Sequence, residues 1–214
     1  MSHYRSLLAG ALMLAVSFAA VSVTHAQVGK GILDANLVPE AELATLVPGM
    51  TPAIAKALVA ARPFATIVAL NKFLVDQKLT KEQIDAFYQK AFVHVNLNTG
   101  TKDEIMLIPG AGARMVREFA EYRPWKTWAQ FDKEISKYVG QPETDRLKKY
   151  VFIPVNLNTA TDEDIISIPG AGNRMVREFK EYRPWKTQEQ FQKEIGKYVD
   201  AKEVARLWRF VVIQ

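Results

Sequence analysis

VNLNTATDEDIISIPGAGNRMVREFKEYRPW, residues 155–185, occurs almost unchanged sixty positions earlier as VNLNTGTKDEIMLIPGAGARMVREFAEYRPW, residues 95–125. The shift holds without a gap to the end of the chain, with about 38 of 60 positions identical, so the two stretches are a recent duplication. An older copy precedes them: Ala35-Asn36-Leu37, Val47-Pro48-Gly49 and Ala61-Arg62-Pro63-Phe64-Ala65-Thr66 match at a displacement of 60 or 61. The layout read from these repeats is a leader over 1–26 and three units over 27–93, 94–153 and 154–214. A unit of about 60 residues buries enough surface to fold alone only marginally, and no Gly/Ser- or Pro-rich linker separates the three. The units are therefore expected to pack against one another.

Within a unit the local signals are helical. Thr101-Lys102-Asp103-Glu104 has the form of a capping box and opens a short helix carrying Ile105 and Ile108. Pro109-Gly110-Ala111-Gly112 breaks that helix. Met115, Val116, Phe119 and Tyr122 then recur at helical spacing, with Arg114, Arg117, Glu118 and Glu121 on the remaining faces. Arg123-Pro124-Trp125 ends this second helix. Thr127-Trp128-Ala129-Gln130 repeats the capping-box form before a third helix with Phe131, Ile135 and Tyr138, and a last helix starts near Pro142. Thr161, Thr187, Phe191, Ile195, Leu207 and Phe210 repeat the pattern in the third copy. No alternating run is long enough for a sheet, so the expected class is all-α, with four or five short helices per unit.

The stretch with chemistry to offer is Ile108-Pro109-Gly110-Ala111-Gly112-Ala113-Arg114, repeated as Ile168-Pro169-Gly170-Ala171-Gly172-Asn173-Arg174. A helix, a glycine turn and a second helix bring unpaired backbone N–H groups and a helix N-terminus to one point, which favours an anion. Glycine serves there twice, for turn dihedrals that other residues avoid and for the absence of a Cβ in the path of a phosphate. Arg114 and Arg174 fall in the first turn of the second helix, and Arg117 and Arg177 lie three residues on, able to extend the footprint along a nucleic-acid backbone. A dinucleotide fingerprint is excluded because Met115 and Met175 stand at the third-glycine position and no strand leads into the turn. A P-loop is excluded because no Gly-Lys-Ser/Thr follows. A tight turn between two helices with solvated arginines is the competing reading of the same residues.

These residues resemble the helix-hairpin-helix domains of the ComEA type, whose repeat runs from a Val-Asn-Leu-Asn-Thr-Ala-Thr-like segment through an acidic short helix to Pro-Gly-x-Gly and then Tyr-Arg with an aromatic. The resemblance covers both later copies. It implies three tandem helix-hairpin-helix units and sequence-independent binding of double-stranded DNA, with phosphates held at Gly110, Ala111, Gly112 and Arg114 and at Gly170, Ala171, Gly172 and Arg174. It further implies capture of incoming DNA for natural transformation. The chain departs from the pattern in two places. The second hairpin of the family unit reads Val139-Gly140-Gln141-Pro142 and Val199-Asp200-Ala201-Lys202, without two spaced glycines, and is assigned to packing. The first copy has Pro48-Gly49-Met50-Thr51-Pro52-Ala53, where Thr51 replaces the second glycine and Ala53 the arginine, so that copy is expected not to grip phosphate. Its VPGMTPAIAKAL and ARPFAT segments are more similar to the extrinsic photosystem subunit PsbU, which keeps open a scaffold reading with a protein partner on residues 27–93.

The leader has one basic residue, Arg5, before an apolar run, then Thr24-His25-Ala26 ahead of Gln27. It reads as a secretory signal peptide, which places the protein in the periplasm or outside the cell with no stable membrane span after cleavage. The competing reading is a retained anchor. Of 214 residues 49% are hydrophobic and none is cysteine, which removes disulfides, thiol nucleophiles and cysteine-ligated metals. Of three histidines, two sit in the leader, leaving His94, so a catalytic triad or multi-histidine metal site is not expected. The reading is a non-enzymatic protein that calls for no cofactor. Acidic clusters at Asp103-Glu104 and Asp162-Glu163-Asp164 sit in first helical turns and are read as capping. Trp125, Trp128, Trp185 and Trp208 are read as core plugs in preference to base-stacking platforms. The formal charge of +5 is mild, and affinity for DNA per copy is expected to be low, roughly 10⁻⁴–10⁻⁶ M, raised by linkage of two copies.

Overall fold

The computed structural model describes residues 31–214; the expected signal peptide, 1–26, lies outside the described residues. The chain is mostly helical, as the caps and periodicities require. The first copy runs β1 (Leu33–Asp34), α1 (Glu40–Leu46), α2 (Pro52–Ala61), α3 (Ile67–Asp76), α4 (Lys81–Tyr88) and β2 (Ala91–Phe92). The second has β3 (Val95–Asn96), α5 (Lys102–Met106), α6 (Ala113–Glu121), α7 (Trp128–Lys148) and β4 (Val151–Phe152). The third has β5 (Val155–Asn156), α8 (Asp162–Ser167), α9 (Asn173–Glu181), α10 (Gln188–Ile195), α11 (Ala201–Trp208) and β6 (Val211–Val212). α7 is two helices joined end to end: Gly140 breaks it at φ 76°, ψ 165°, and Pro142 follows in the next first turn, where a missing N–H costs nothing.

The strands correct the sequence reading, which expected no sheet. Each copy's first strand pairs in parallel with its last, in the registers Leu33↔Ala91, Val95↔Val151 and Val155↔Val211. Val95 N–H donates to the Tyr150 carbonyl at 2.9 Å and Leu97 N–H to Phe152 at 2.9 Å, and the third copy repeats both bonds through Phe210 and Val212. Two residues are too few for alternation to register in a sequence.

Caps set the helix starts. Thr101 with Glu104 and Thr161 with Asp164 form reciprocal capping boxes. At α7 and α10 only half of the expected box forms. The Thr127 hydroxyl accepts from Gln130 N–H, but the Gln130 side chain accepts from Lys126 N–H at 3.0 Å and donates to the Tyr122 carbonyl at 3.1 Å. Gln190 does the same with Lys186 and Tyr182.

An asparagine clamp ties the strand end to the loop after the second helix. Asn98 accepts from Trp125 N–H at 2.6 Å and donates to the Trp125 carbonyl at 3.0 Å, and Asn158 holds Trp185 at 2.7 and 3.0 Å. In the first copy the clamp is Asn36 on Phe64. Asn36 thus does the work of Asn98, and Asp34, which accepts from Asn36 N–H, takes the place of Asn96. The offset in this segment is 62, not the 60 that matching Ala35-Asn36-Leu37 to Val95-Asn96-Leu97 suggests, because geometry and not local identity fixes which asparagine clamps. Replacing Asn158 by alanine leaves both main-chain groups of Trp185 without these partners and is expected to cost about 2 kcal/mol in denaturant unfolding.

One apolar cluster runs continuously through the first two copies, from Ala35 to Ile153, and a second occupies the third copy from Val155 to Val211 and takes in Phe152 of the second. Phe92 and Tyr150 join the first two copies edge to face at 5.1 Å. Polar groups tie the third copy to the other two, beside the apolar contact of Phe152 with Phe210 at 4.8 Å. Buried Arg206 lies 3.7 Å from buried Asp34 while held bidentately by Glu203, and Arg209 donates to the His94 carbonyl at 3.0 Å. His94, the one histidine outside the leader, is a buried residue at this junction.

Candidate nucleic-acid interface

The turn between α5 and α6 is closed by Ala111 N–H donating to the Ile108 carbonyl at 2.9 Å, and that between α8 and α9 by Ala171 N–H on Ile168 at 2.9 Å. Gly110 and Gly170 adopt φ of 76° and 77°, which a side chain disfavours. Gly112 and Gly172 differ in kind. Their φ values of −125° and −111° suit any residue, and a Cβ on either meets no heavy atom within 4 Å. Among the described residues neither the backbone nor the packing explains these two glycines; both leave open space over a helix start. Each is the N-cap of its helix, and no side chain caps α6 or α9. The first-turn amides therefore have no capping side chain among the described residues.

The first copy closes the same position from within. Thr51 caps α2 by accepting from Ile54 N–H at 3.2 Å, and Pro52 removes another N–H from the first turn. A Cβ on Gly49 would collide with the Gln83 side chain, so the turn itself is covered.

Around each open helix start stand the arginines singled out in the sequence. Arg114, Arg117, Arg174 and Arg177 are all exposed. Arg117 lies 3.7 Å from Glu118. The structure places Ala111 and Ala171 differently from their nominated role: their amides are spent inside the turn, and Ala171 is buried, so they contribute shape and not a donor.

Several residues at these sites escaped the sequence reading. The Arg114 guanidinium sits 5.8 Å from the centre of the Tyr138 ring, and Arg174 sits 5.0 Å from Tyr198. The half given over to packing thus supplies a side chain to each arginine. Glu118, which the helical spacing sets off the apolar face, and its counterpart Glu178 are nonetheless 5% and 6% exposed. The Tyr138 hydroxyl is held above the ordinary phenol range by its hydrogen bond with Tyr122, then by desolvation and by Glu118. Tyr198 is raised likewise by Tyr182, then Glu178. Arg146 and Arg206 lie against the turn glycines, 2.8 Å and 3.0 Å from where a Cβ on Gly110 and Gly170 would stand. Arg206 is buried and Arg146 is not, which makes the duplicated turns unequal. The aligned tyrosines, absent from the first copy, were a readable signal; the pairing of Arg206 with Asp34, across copies, had none.

Trp125 and Trp185 are buried, with indole N–H groups donating to the carbonyls of Phe119 and Phe179 at 2.8 and 2.6 Å, so neither ring faces a ligand. Of the acidic first turns, Glu104 and Asp164 complete the capping boxes and Asp162 pairs with Lys180 at 2.6 Å. Among the described residues no helix is long and apolar enough to cross a membrane. Comparison with protein-family models, curated proteins and solved structures yields no match to this chain, so the site is read from its own geometry.

Proposed function

We propose that the chain is an exported, non-enzymatic protein of the ComEA-like helix-hairpin-helix kind that binds double-stranded DNA without sequence preference. Two hairpins, at Gly110–Arg114 and Gly170–Arg174, hold backbone phosphates through first-turn amides and the adjacent arginine, with Arg117 and Arg177 extending the contact. The first copy is silent toward phosphate, and the activity served is capture of DNA outside the cytoplasm, as in uptake for transformation. The observation that carries this reading is the empty space over Gly112 and Gly172, in two places where nothing among the described residues requires glycine. The scaffold reading attaches to residues 27–93, where the corresponding amides are used internally and Val75, half exposed, rims a cleft of about 520 Å³ shared with Met106 and Pro109.

The test is to give the two open copies the residue that the first copy has. Gly112→Thr with Gly172→Thr supplies each helix with a capping hydroxyl, so the melting temperature is expected to hold or rise. Random-sequence duplex binding, followed by fluorescence anisotropy at low salt, is expected to weaken about tenfold as the amides are capped and the approach is filled. Unchanged affinity in a stable variant contradicts the reading.

A further inference from the structure

We infer that Tyr138 and Tyr198 are positioning residues, shelves that hold Arg114 and Arg174 in place over the helix start before a phosphate arrives; the inference rests on the phosphate-binding reading of those arginines. Each guanidinium lies within cation–π range of its ring, and Arg114 Nη1 also reaches the Tyr138 carbonyl at 3.5 Å. The shelves are themselves fixed. The Tyr138 and Tyr122 hydroxyls share a 2.8 Å hydrogen bond, as do those of Tyr198 and Tyr182, and Tyr122 and Tyr182 rest on Trp125 and Trp185 with ring centres 5.9 Å apart. Glu118 and Glu178 lie buried close to the same hydroxyls.

The first copy provides an internal control. Aligning Pro48-Gly49 with Pro109-Gly110 and Arg62-Pro63 with Arg123-Pro124 puts Ala53, Ala57, Ala61 and Gln77 at the places of Arg114, Glu118, Tyr122 and Tyr138. All four members of the set are missing together from the copy whose helix start is capped from within, yet α2 and α3 still form there. The helix pair therefore does not need the set in order to fold. What the set adds is order in a long, exposed side chain. A free arginine loses much rotamer freedom on gripping a phosphate, and a side chain already held against a ring loses less.

A double-mutant cycle on the full chain tests this. Tyr138→Leu with Tyr198→Leu is expected to weaken random-sequence duplex binding at low salt about fivefold in the parent, and by less than about 1.5-fold when Arg114→Ala and Arg174→Ala are already present. Tyr138→Phe with Tyr198→Phe keeps both rings and is expected to stay within about twofold of the parent. The same fold-loss in both backgrounds, or a Phe pair as weak as the Leu pair, overturns the inference while leaving the arginine sites standing. Equal binding by the parent and the arginine variant overturns the phosphate reading and the inference with it. Should the Leu pair not fold, proton resonances of the arginine side chains in the unaltered chain decide. Upfield ring-current shifts that vanish in Arg114→Ala/Arg174→Ala support the shelves, and unshifted signals overturn them.

Discussion

Arg114→Ala combined with Arg174→Ala is expected to weaken binding to random-sequence duplex DNA about thirtyfold at low salt, an effect of ~1 kcal/mol per arginine. It is also expected to make the slope of log K against log[salt] shallower by about two, one phosphate contact for each site. Both side chains are exposed and neither fills the core, so the melting temperature is expected to stay within a few degrees of the parent. The loss should be equal on unrelated duplex sequences, because main-chain amides and guanidinium groups aimed at phosphates read no base. Each single variant is expected to give about half the change in free energy and in slope. Adding an arginine to the first copy by Ala53→Arg is expected to bring little gain, since Thr51 and Pro52 still remove donors from the start of α2. Salt-titrated anisotropy with two unrelated duplexes reads all of these together. An unchanged slope in the double variant removes the arginines from the site.

Trp185→Ala is expected to be the most destabilising single change in the third copy, by about 3–5 kcal/mol. The ring is 2% exposed, packs against Phe191 at 5.5 Å and Tyr182 at 5.9 Å, and its indole donates to the Phe179 carbonyl. Truncation removes all of these and opens a cavity beneath the tyrosine pair. The apolar cluster of the third copy takes only Phe152 from the second and is otherwise apart from the one that runs through the first two, so the damage should be largely local. A single 60-residue unit has only a few kcal/mol to lose, so the third copy is expected to unfold first and separately on heating. Calorimetry or circular dichroism should then show two transitions where the parent shows them closer together. Duplex binding should fall to the level of a chain with one working site. Trp125→Ala acts on the shared cluster and is expected to lower the stability of the first two copies together.

How far the sequence foretold this molecule can be judged residue by residue. Thr101 and Thr161 were legible because a capping box is a local event spelled by residues three apart. Gly110 and Gly170 were legible because a proline and two glycines leave few conformations open. The strand pairs were not, because each strand is two residues long and its partner is 56 to 58 positions away. Glu118 was misread for a related reason: its helical face is set by which neighbours close over it, and Tyr138 arrives from the next helix. Gln130 looked like a reciprocal cap until the loop before it offered Lys126 N–H and the carbonyls of Tyr122 and Pro124. At the site, the glycines and arginines were legible as residue types. What periodicity could not tell was that Gly112 and Gly172 face open space while Gly49, Gly110 and Gly170 face side chains. That distinction separates a glycine that the turn requires from one that nothing among the described residues requires.

The proposed role of the two duplicated helix starts, each with open amides and a shelved arginine, is to hold the backbone of duplex DNA irrespective of sequence. Its most direct test is the salt dependence of binding by the purified, unaltered chain to two duplexes of unrelated sequence. Binding to both with equal affinity is expected, weakening linearly in log K against log[salt] as counterions released at the phosphates are recaptured. Absence of binding at low salt, or affinity that depends on sequence and not on salt, would contradict it.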